Sequence, residues 1–136
     1  MTMLRRVRLS SVLLLGISGA VSPIPALAQS LPTRPGTCVA TTVSSIGTRL
    51  VDGRTGRPIH GSGSSVRFAN GGVQVSYDDV DAIRRSRVGD QVFFCLISIP
   101  QDCPPGDPRG RVYTTTNRRT LESWTLPDAQ HMCGGA

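Results

Sequence analysis

Short runs rich in valine, threonine and other apolar residues recur along most of the chain, separated by segments of glycine, asparagine and serine. Runs of this length and composition are typical of β-strands bounded by turns. One run, QVFFCLISI, carries apolar residues on both faces and is therefore expected to be the most buried strand. The predicted strands are Cys38–Val51, Val66–Ala69, Val73–Tyr77, Gln91–Ile99, Arg111–Thr116 and Thr120–Leu126.

Two of the gaps between runs predict hairpins, and one predicts a helix. Asn70-Gly71-Gly72 favours a tight turn because these residues tolerate positive φ, and Asn117-Arg118-Arg119 separates the last two runs. Between the third and fourth strands, DDVDAIRRSRV begins with aspartates and ends with arginines before Gly89. Acids at the start, bases at the end and a terminal glycine predict a short helix over Asp78–Val88.

The order of these elements indicates an all-β domain with one short helix. If the last run is a further strand or extension, the remaining five strands, with a helix between the third and fourth, follow the order of an OB-like five-stranded barrel. An SH3-like barrel or a small β-sandwich would produce a similar pattern, so both remain alternatives.

The N-terminus predicts export. Arg5, Arg6 and Arg8 precede the apolar run Val12–Val21, and Ala26-Leu27-Ala28 offers small residues for cleavage. This is the layout of a secretory signal peptide, and the apolar run is too short to cross a bilayer. We therefore expect a signal peptide over residues 1–28, a flexible leader over 29–37 and a single disulfide-linked β domain over 38–136, located in the periplasm or secreted, with no membrane span after cleavage.

Removal of the signal peptide changes the charge. Three of the 15 basic residues would leave with it, so 12 arginines would face nine acidic residues and the net charge would fall from +6 to +3. All the basic residues are arginines, which bind carboxylates and phosphates through a planar fork. Export makes nucleic acid an improbable partner, so we do not expect it, and we expect an anionic envelope component as a possible partner.

Four cysteines in a short exported domain predict two disulfides. Among the three possible pairings we favour Cys95–Cys103, which closes a local loop, with Cys38–Cys133 joining the two ends. A metal site of these cysteines with His131 is not expected, because the spacing of the ligands fits no known zinc pattern. No cofactor is expected either.

The segment CLISIPQDCPPGDPRGR could be taken for a phosphate-binding loop because of its glycines. Three prolines among residues 104–110 remove backbone N–H donors that a phosphate loop needs, and no Lys-Ser/Thr pair follows. We interpret it as a rigid connection pinned by Cys103, with Asp107 paired to Arg109 or Arg111.

The final hairpin carries the best candidates for a binding site. An aromatic platform flanked by arginines would suit sugars, acidic groups or stacked rings. The alternative is that Trp124 belongs to the core. The candidate ligand-binding residues are Arg109, Arg111, Tyr113, Asn117, Arg119 and Trp124.

A weaker hypothesis is a hydrolase at the C-terminus. Asp128 lies three residues before His131 and could orient its imidazole, with Ser123 as a nearby hydroxyl. A triad requires all three side chains to converge, and neither histidine of the chain lies in a known nucleophile motif.

From Cys38 onward the chain resembles small uncharacterised exported proteins of Gram-negative bacteria. The resemblance rests on NGGVQVSYDDVDAIRRSRVGD, VFFCLISIPQDCPPGDPRGR and WTLPDAQHMCGG. It implies export and a disulfide-linked domain, and it transfers no catalytic residue.

These observations favour an exported, non-enzymatic β domain that binds an anionic or glycan envelope component or a partner protein. The alternatives are a small hydrolase using His131 and Asp128, and a purely structural or inhibitory module. The sequence leaves the ligand and the oligomeric state open.

Overall fold

The computed structural model describes residues 29–135, so the predicted signal peptide lies outside the described residues. Six strands and one short helix follow one another in the predicted order. They are β1 Cys38–Thr48, β2 Ser64–Phe68, β3 Val73–Ser76, α1 Asp81–Arg85, β4 Gln91–Ser98, β5 Val112–Asn117 and β6 Ser123–Pro127. None of the helices in this part of the chain has the length and apolar character to cross a membrane.

All six strands belong to one antiparallel sheet in the order β3-β2-β1-β4-β5-β6. The long strand β1 pairs with β4 through its first half and with β2 through its second half. The register shifts between Val43 and Ser45, where β1 passes from one partner to the other. Such an irregularity bends a strand and increases its twist, so the sheet curls instead of lying flat.

The curl brings the two edge strands, β3 and β6, close together. Gln74 on β3 is fully buried and joins them through its side chain. Its amide nitrogen donates to the carbonyls of Tyr113 and Leu126, at 2.6 and 3.3 Å. Its amide oxygen accepts from the hydroxyl of Thr115 at 2.6 Å and from the indole of Trp124 at 2.8 Å. The edge strands β3 and β6 are not paired with each other in the sheet. The side chain of Gln74 therefore connects the two edges of the half-barrel.

The all-β class is confirmed, but the five-stranded barrel is not. The sheet has six strands and forms a curled half-barrel. The sixth strand, β6, pairs with β5 and contacts β3. The core fills its concave side, where the ring of Phe94 lies 4.8 Å from Phe68 and 4.3 Å from Tyr113. Leu31 packs against this core and Pro32 is buried, so part of the segment predicted as a flexible leader is held in place.

Strand β4 is buried on one face only. Val92, Phe94 and Leu96 are inaccessible to solvent, whereas Phe93 is 46% exposed and Ile97 is 48% exposed. The prediction that it is the most buried strand is therefore wrong, because three of its eight residues are buried, against three of five in β2. On this exposed face, the guanidinium of Arg118 lies over the ring of Phe93, 5.3 Å from its centroid, and covers it only in part.

The helix α1 spans Asp81–Arg85, less than the predicted range 78–88. Ser86 leaves the helical conformation, and its N–H and hydroxyl donate to the carbonyls of Ile83 and Ala82. The side chain of a serine therefore satisfies backbone groups at the helix end before Gly89 is reached.

The chain forms two disulfides, as predicted, but the predicted pairing is wrong. Cys38 pairs with Cys95, and Cys103 pairs with Cys133. Cys38 and Cys95 lie directly opposite each other on β1 and β4, so sheet register decides this pair. The second disulfide ties the β4–β5 connection to the C-terminal tail. Two disulfides indicate an oxidising extracellular or periplasmic environment.

Candidate functional site

The two aromatic residues of the final hairpin lie inside the half-barrel. Tyr113 is 2% exposed and Trp124 is 6% exposed. Tyr113 stacks on Phe94, and the indole of Trp124 donates to Gln74. The predicted exposed aromatic platform is therefore wrong, and the alternative in which Trp124 belongs to the core is confirmed.

At the turn of the same hairpin, Asn117 and Arg119 hold the carboxylate of Asp90. Arg119 donates to both carboxylate oxygens, at 2.7 and 2.8 Å, and the buried Asn117 amide donates at 2.8 Å. The Arg119 hydrogen bonds hold the pKa of Asp90 well below its ordinary value, although burial of the carboxyl opposes the shift. Because Asn117 is buried and both side chains bind Asp90, these two residues act in the fold and are poor ligand-binding candidates.

Arg109 is also committed to the fold. Its guanidinium makes two hydrogen bonds of 2.8 Å to Asp107 and a third of 3.3 Å to the carbonyl of Gly135. The ion pair and the N–H of Gly134 lower the pKa of Asp107. The expected pairing of Asp107 with an arginine is confirmed for Arg109, and it fastens the β4–β5 connection to the tail beside the Cys103–Cys133 disulfide.

Arg111, Tyr113 and Asp128 line one pocket of about 150 Å³ at the end of the half-barrel where the β2–β3 turn lies. We call it the Arg111 pocket; its other lining residues are Leu31, Gly71, Gly72 and Val73. Arg111 directly precedes β5, Tyr113 lies on β5, and Asp128 directly follows β6. Two separate sequence hypotheses, the hairpin surface and the C-terminal hydrolase, thus contribute residues to the same place.

Backbone contacts fix the wall that carries Arg111. The N–H of Asp128 donates to the Arg111 carbonyl at 2.9 Å, and one Asp128 carboxylate oxygen accepts from the N–H of Gly110 at 2.8 Å. Gly110 has φ of 100°, and a Cβ at this position would meet the sulfur of Met132 at 2.8 Å. The positive φ favours glycine here, and any larger residue would also have to displace the Met132 side chain.

The opposite wall is the turn predicted from Asn70-Gly71-Gly72. Gly71 has φ of 86°, which the turn requires. A Cβ on Gly72 would lie 3.0 Å from the ring of Phe94, so the turn packs directly on the core. At Gly71, by contrast, a Cβ would have no atom within 4 Å, so the backbone there is open.

The electrostatics of the Arg111 pocket differ from those around Arg119. Among residues 29–135, no carboxylate lies within ion-pair distance of Arg111, and Asp128 has no cationic partner. Burial raises the pKa of the Tyr113 hydroxyl, the charge of Asp128 adds to the shift, and Arg111 opposes it. The charges of Asp128 and Arg111 therefore both act on the hydroxyl, although these two residues do not form an ion pair with each other.

The hydrolase residues are not brought together. The Asp128 carboxylate binds the N–H of Gly110, the Ser123 hydroxyl pairs with Thr116 at 2.8 Å, and His131 is exposed. Within the described range, no hydrogen bond connects His131 to Asp128 or Ser123. This arrangement offers no activated nucleophile.

A second, larger cleft of about 380 Å³ lies between α1 and the β1–β2 connection. It is lined in part by His60, Asp79 and Arg84, which the sequence did not single out as a group. Arg84 is already paired with Asp81, so this cleft presents no uncommitted arginine.

The sequence also missed the contribution of the β2–β3 turn to the Arg111 pocket. The glycines of this turn predicted a hairpin, but nothing in the local sequence indicated that the turn would lie near β5 and β6. In the described part of the chain, no three histidine, cysteine or acidic side chains gather as a metal site.

The chain matches no protein-family model, and no curated protein or solved structure is significantly similar to it.

Proposed function

We propose that this protein is an exported, non-enzymatic binding domain that holds a carboxylate-bearing group of an envelope component or partner protein in the Arg111 pocket. The observation that carries the proposal is the state of Arg111. It is half-buried and lines a pocket, yet it makes no ion pair with a described residue, whereas Arg109 and Arg119 each bind a carboxylate of the protein.

A carboxylate suits this arrangement chemically. The guanidinium offers two parallel N–H groups that match the two oxygens of a carboxylate, and partial burial strengthens the interaction. The pocket has the volume of about five water molecules at ~30 Å³ each. It would admit an end group or a side chain of a larger molecule, since whole drug-sized ligands occupy about 300 Å³ or more.

Export is supported by several independent features. The two disulfides indicate an oxidising environment, and the layout of residues 1–28 is that of a signal peptide. The resemblance to exported proteins of Gram-negative bacteria points the same way. A glycan could also carry the carboxylate, but recognition through the ring faces of Tyr113 and Trp124 is excluded by their burial.

The test compares two arginine variants with the same change of charge. Arg111→Ala should lower affinity for isolated envelope fractions at least about tenfold, the effect of losing one charge-assisted hydrogen-bond pair. Arg54→Ala removes an exposed arginine outside the pocket and should leave affinity unchanged. Co-sedimentation of the purified domain with envelope fractions measures both. Equal binding by the two variants would contradict the proposal.

A further inference from the structure

The Arg111 pocket contains a negative charge as well as a positive one. One oxygen of the Asp128 carboxylate is used by the N–H of Gly110, while the other accepts no hydrogen bond from residues 29–135. Asp128 and Arg111 line the same 150 Å³ pocket but lie too far apart to form an ion pair with each other. The pocket therefore offers two opposite charges across a gap.

We propose that the group bound in this pocket is the head group of an α-amino acid, with its carboxylate on Arg111 and its ammonium on Asp128. This inference rests on the proposed function, since it adds a second charge to the same ligand. Tyr113 also lines the pocket and is a neighbour of both charged residues.

A carboxylate alone would be a poorer ligand than a zwitterion. Bound to Arg111, it would face the like charge of Asp128 in a partly buried site, where screening by water is weak. An amine alone would meet the same difficulty with Arg111. A molecule that carries both charges on one carbon satisfies both residues and leaves the site neutral, which is the lower-energy arrangement for buried charges.

The small volume agrees with this class of ligand. A head group with a short side chain fills a space of about five water molecules, at ~30 Å³ each. The same head group occurs in free amino acids and at the end of larger molecules, and both sources present identical chemistry to Arg111 and Asp128.

The test is an NMR titration of the ¹⁵N-labelled domain at neutral pH, following the amides of Gly71, Gly72 and Val73. The probes are alanine, propionate and ethylamine, which carry both charges, the carboxylate only and the ammonium only. Alanine should bind at least about tenfold more tightly than either single-charge probe, the gain expected from one additional charge-assisted contact. γ-Glutamylglycine, which carries the head group on a longer chain, distinguishes the sources: tighter binding than alanine assigns the site to a larger molecule, weaker binding to a free amino acid.

Variants separate this inference from the proposed function. Asp128→Asn keeps an oxygen for the Gly110 N–H but removes the charge, so alanine should fall to the affinity of propionate. Arg111→Ala should weaken binding of alanine and propionate alike, and Arg54→Ala should change neither.

If propionate binds through Arg111 as tightly as alanine does, the amino-acid inference is overturned and the proposed function stands. The amino-acid inference is likewise overturned if Asp128→Asn leaves the preference for alanine unchanged. If neither probe binds the wild-type domain and envelope binding does not depend on Arg111, both the inference and the proposed function are overturned.

Discussion

Two arginines at opposite ends of strand β5 differ in what they bind. Arg119, at the turn, donates to both oxygens of Asp90 and to the carbonyl of Arg85. Arg111, at the start of β5, lines a pocket and makes no ion pair with a described residue. The two residues have the same chemistry and belong to one hairpin, so neighbours contributed by other parts of the chain decide which of them can bind a ligand.

The difference lies in where the acidic partner sits. Asp90 precedes β4, and the pairing of β4 with β5 brings it to the hairpin turn within reach of Arg119. Asp128 follows β6 and is held by the N–H of Gly110, which keeps it in the pocket without closing on Arg111. The Arg119–Asp90 ion pair stabilises the fold. Arg111 and Asp128 are held apart, and the pocket between them has room for a ligand.

The largest combined effect, on stability and on binding together, should come from loss of the disulfide next to the pocket. Cys103→Ser with Cys133→Ser opens a connection of 30 residues and should lower the free energy of unfolding by about 3–4 kcal/mol on chain-entropy grounds. Cys133 also donates its N–H to the carbonyl of Arg109, beside Arg111. Ligand binding in the Arg111 pocket should therefore weaken as well.

The matched control is Cys38→Ser with Cys95→Ser, which opens the longer separation of 57 residues. It should cost about 4 kcal/mol but leave binding intact in the folded fraction, because these cysteines lie on β1 and β4. Urea denaturation and the NMR titration together measure the two effects. Loss of binding in both double variants would show that the pocket depends only on global stability.

A smaller effect is expected when each carboxylate is neutralised. Asp90→Asn places an amide against the donors of Arg119, Asn117 and the Arg87 N–H, and should cost about 2 kcal/mol of stability. Asp128→Asn keeps its contact with Gly110 and should change stability little. Thermal unfolding monitored by circular dichroism distinguishes them. Comparable melting temperatures of the two variants would mean that the Asp90 carboxylate stabilises the fold no more than the Asp128 carboxylate does.

The smallest effect is the part of the pH dependence of stability that Asp90 contributes. Arg119 holds the pKa of Asp90 below its ordinary value, so the folded state binds the proton more weakly than the unfolded state, whose aspartate pKa is about 3.9. The stability of wild type over Asp90→Asn should be fully present above about pH 5 and should shrink as pH falls below about 4. Urea midpoints at pH 7 and pH 3 measure the difference. A constant difference at both pH values would contradict this assignment.

Local features of the chain predicted most of the elements of the fold. The asparagine–glycine turn between β2 and β3, the hairpin between β5 and β6, and the charge gradient of α1 depend on residues close in sequence. Their conformational preferences are short-range, so they can be recognised without knowledge of the rest of the molecule. The boundaries of the helix were less predictable, because the Ser86 side chain ends it early.

The candidate site was predicted only in part. Arg111, Tyr113 and Asp128 were each identified, but Tyr113 was assigned to an exposed surface and Asp128 to a catalytic pair. Nothing in the local sequence shows that Gln74 would accept a hydrogen bond from the Trp124 indole inside the half-barrel. The burial of both rings follows from the curl of the sheet.

The amino-acid sequence by itself determined the all-β class, the order of the strands and helix, and the formation of two disulfides, because periodicity, turn chemistry and cysteine number are local or compositional properties. Tertiary structure decided the pairing of Cys38 with Cys95, the commitment of Arg119 to Asp90 and the pocket beside Arg111. Each of these depends on sheet register and curvature, which bring together residues tens of positions apart and set the few ångströms that separate an ion pair from a pocket.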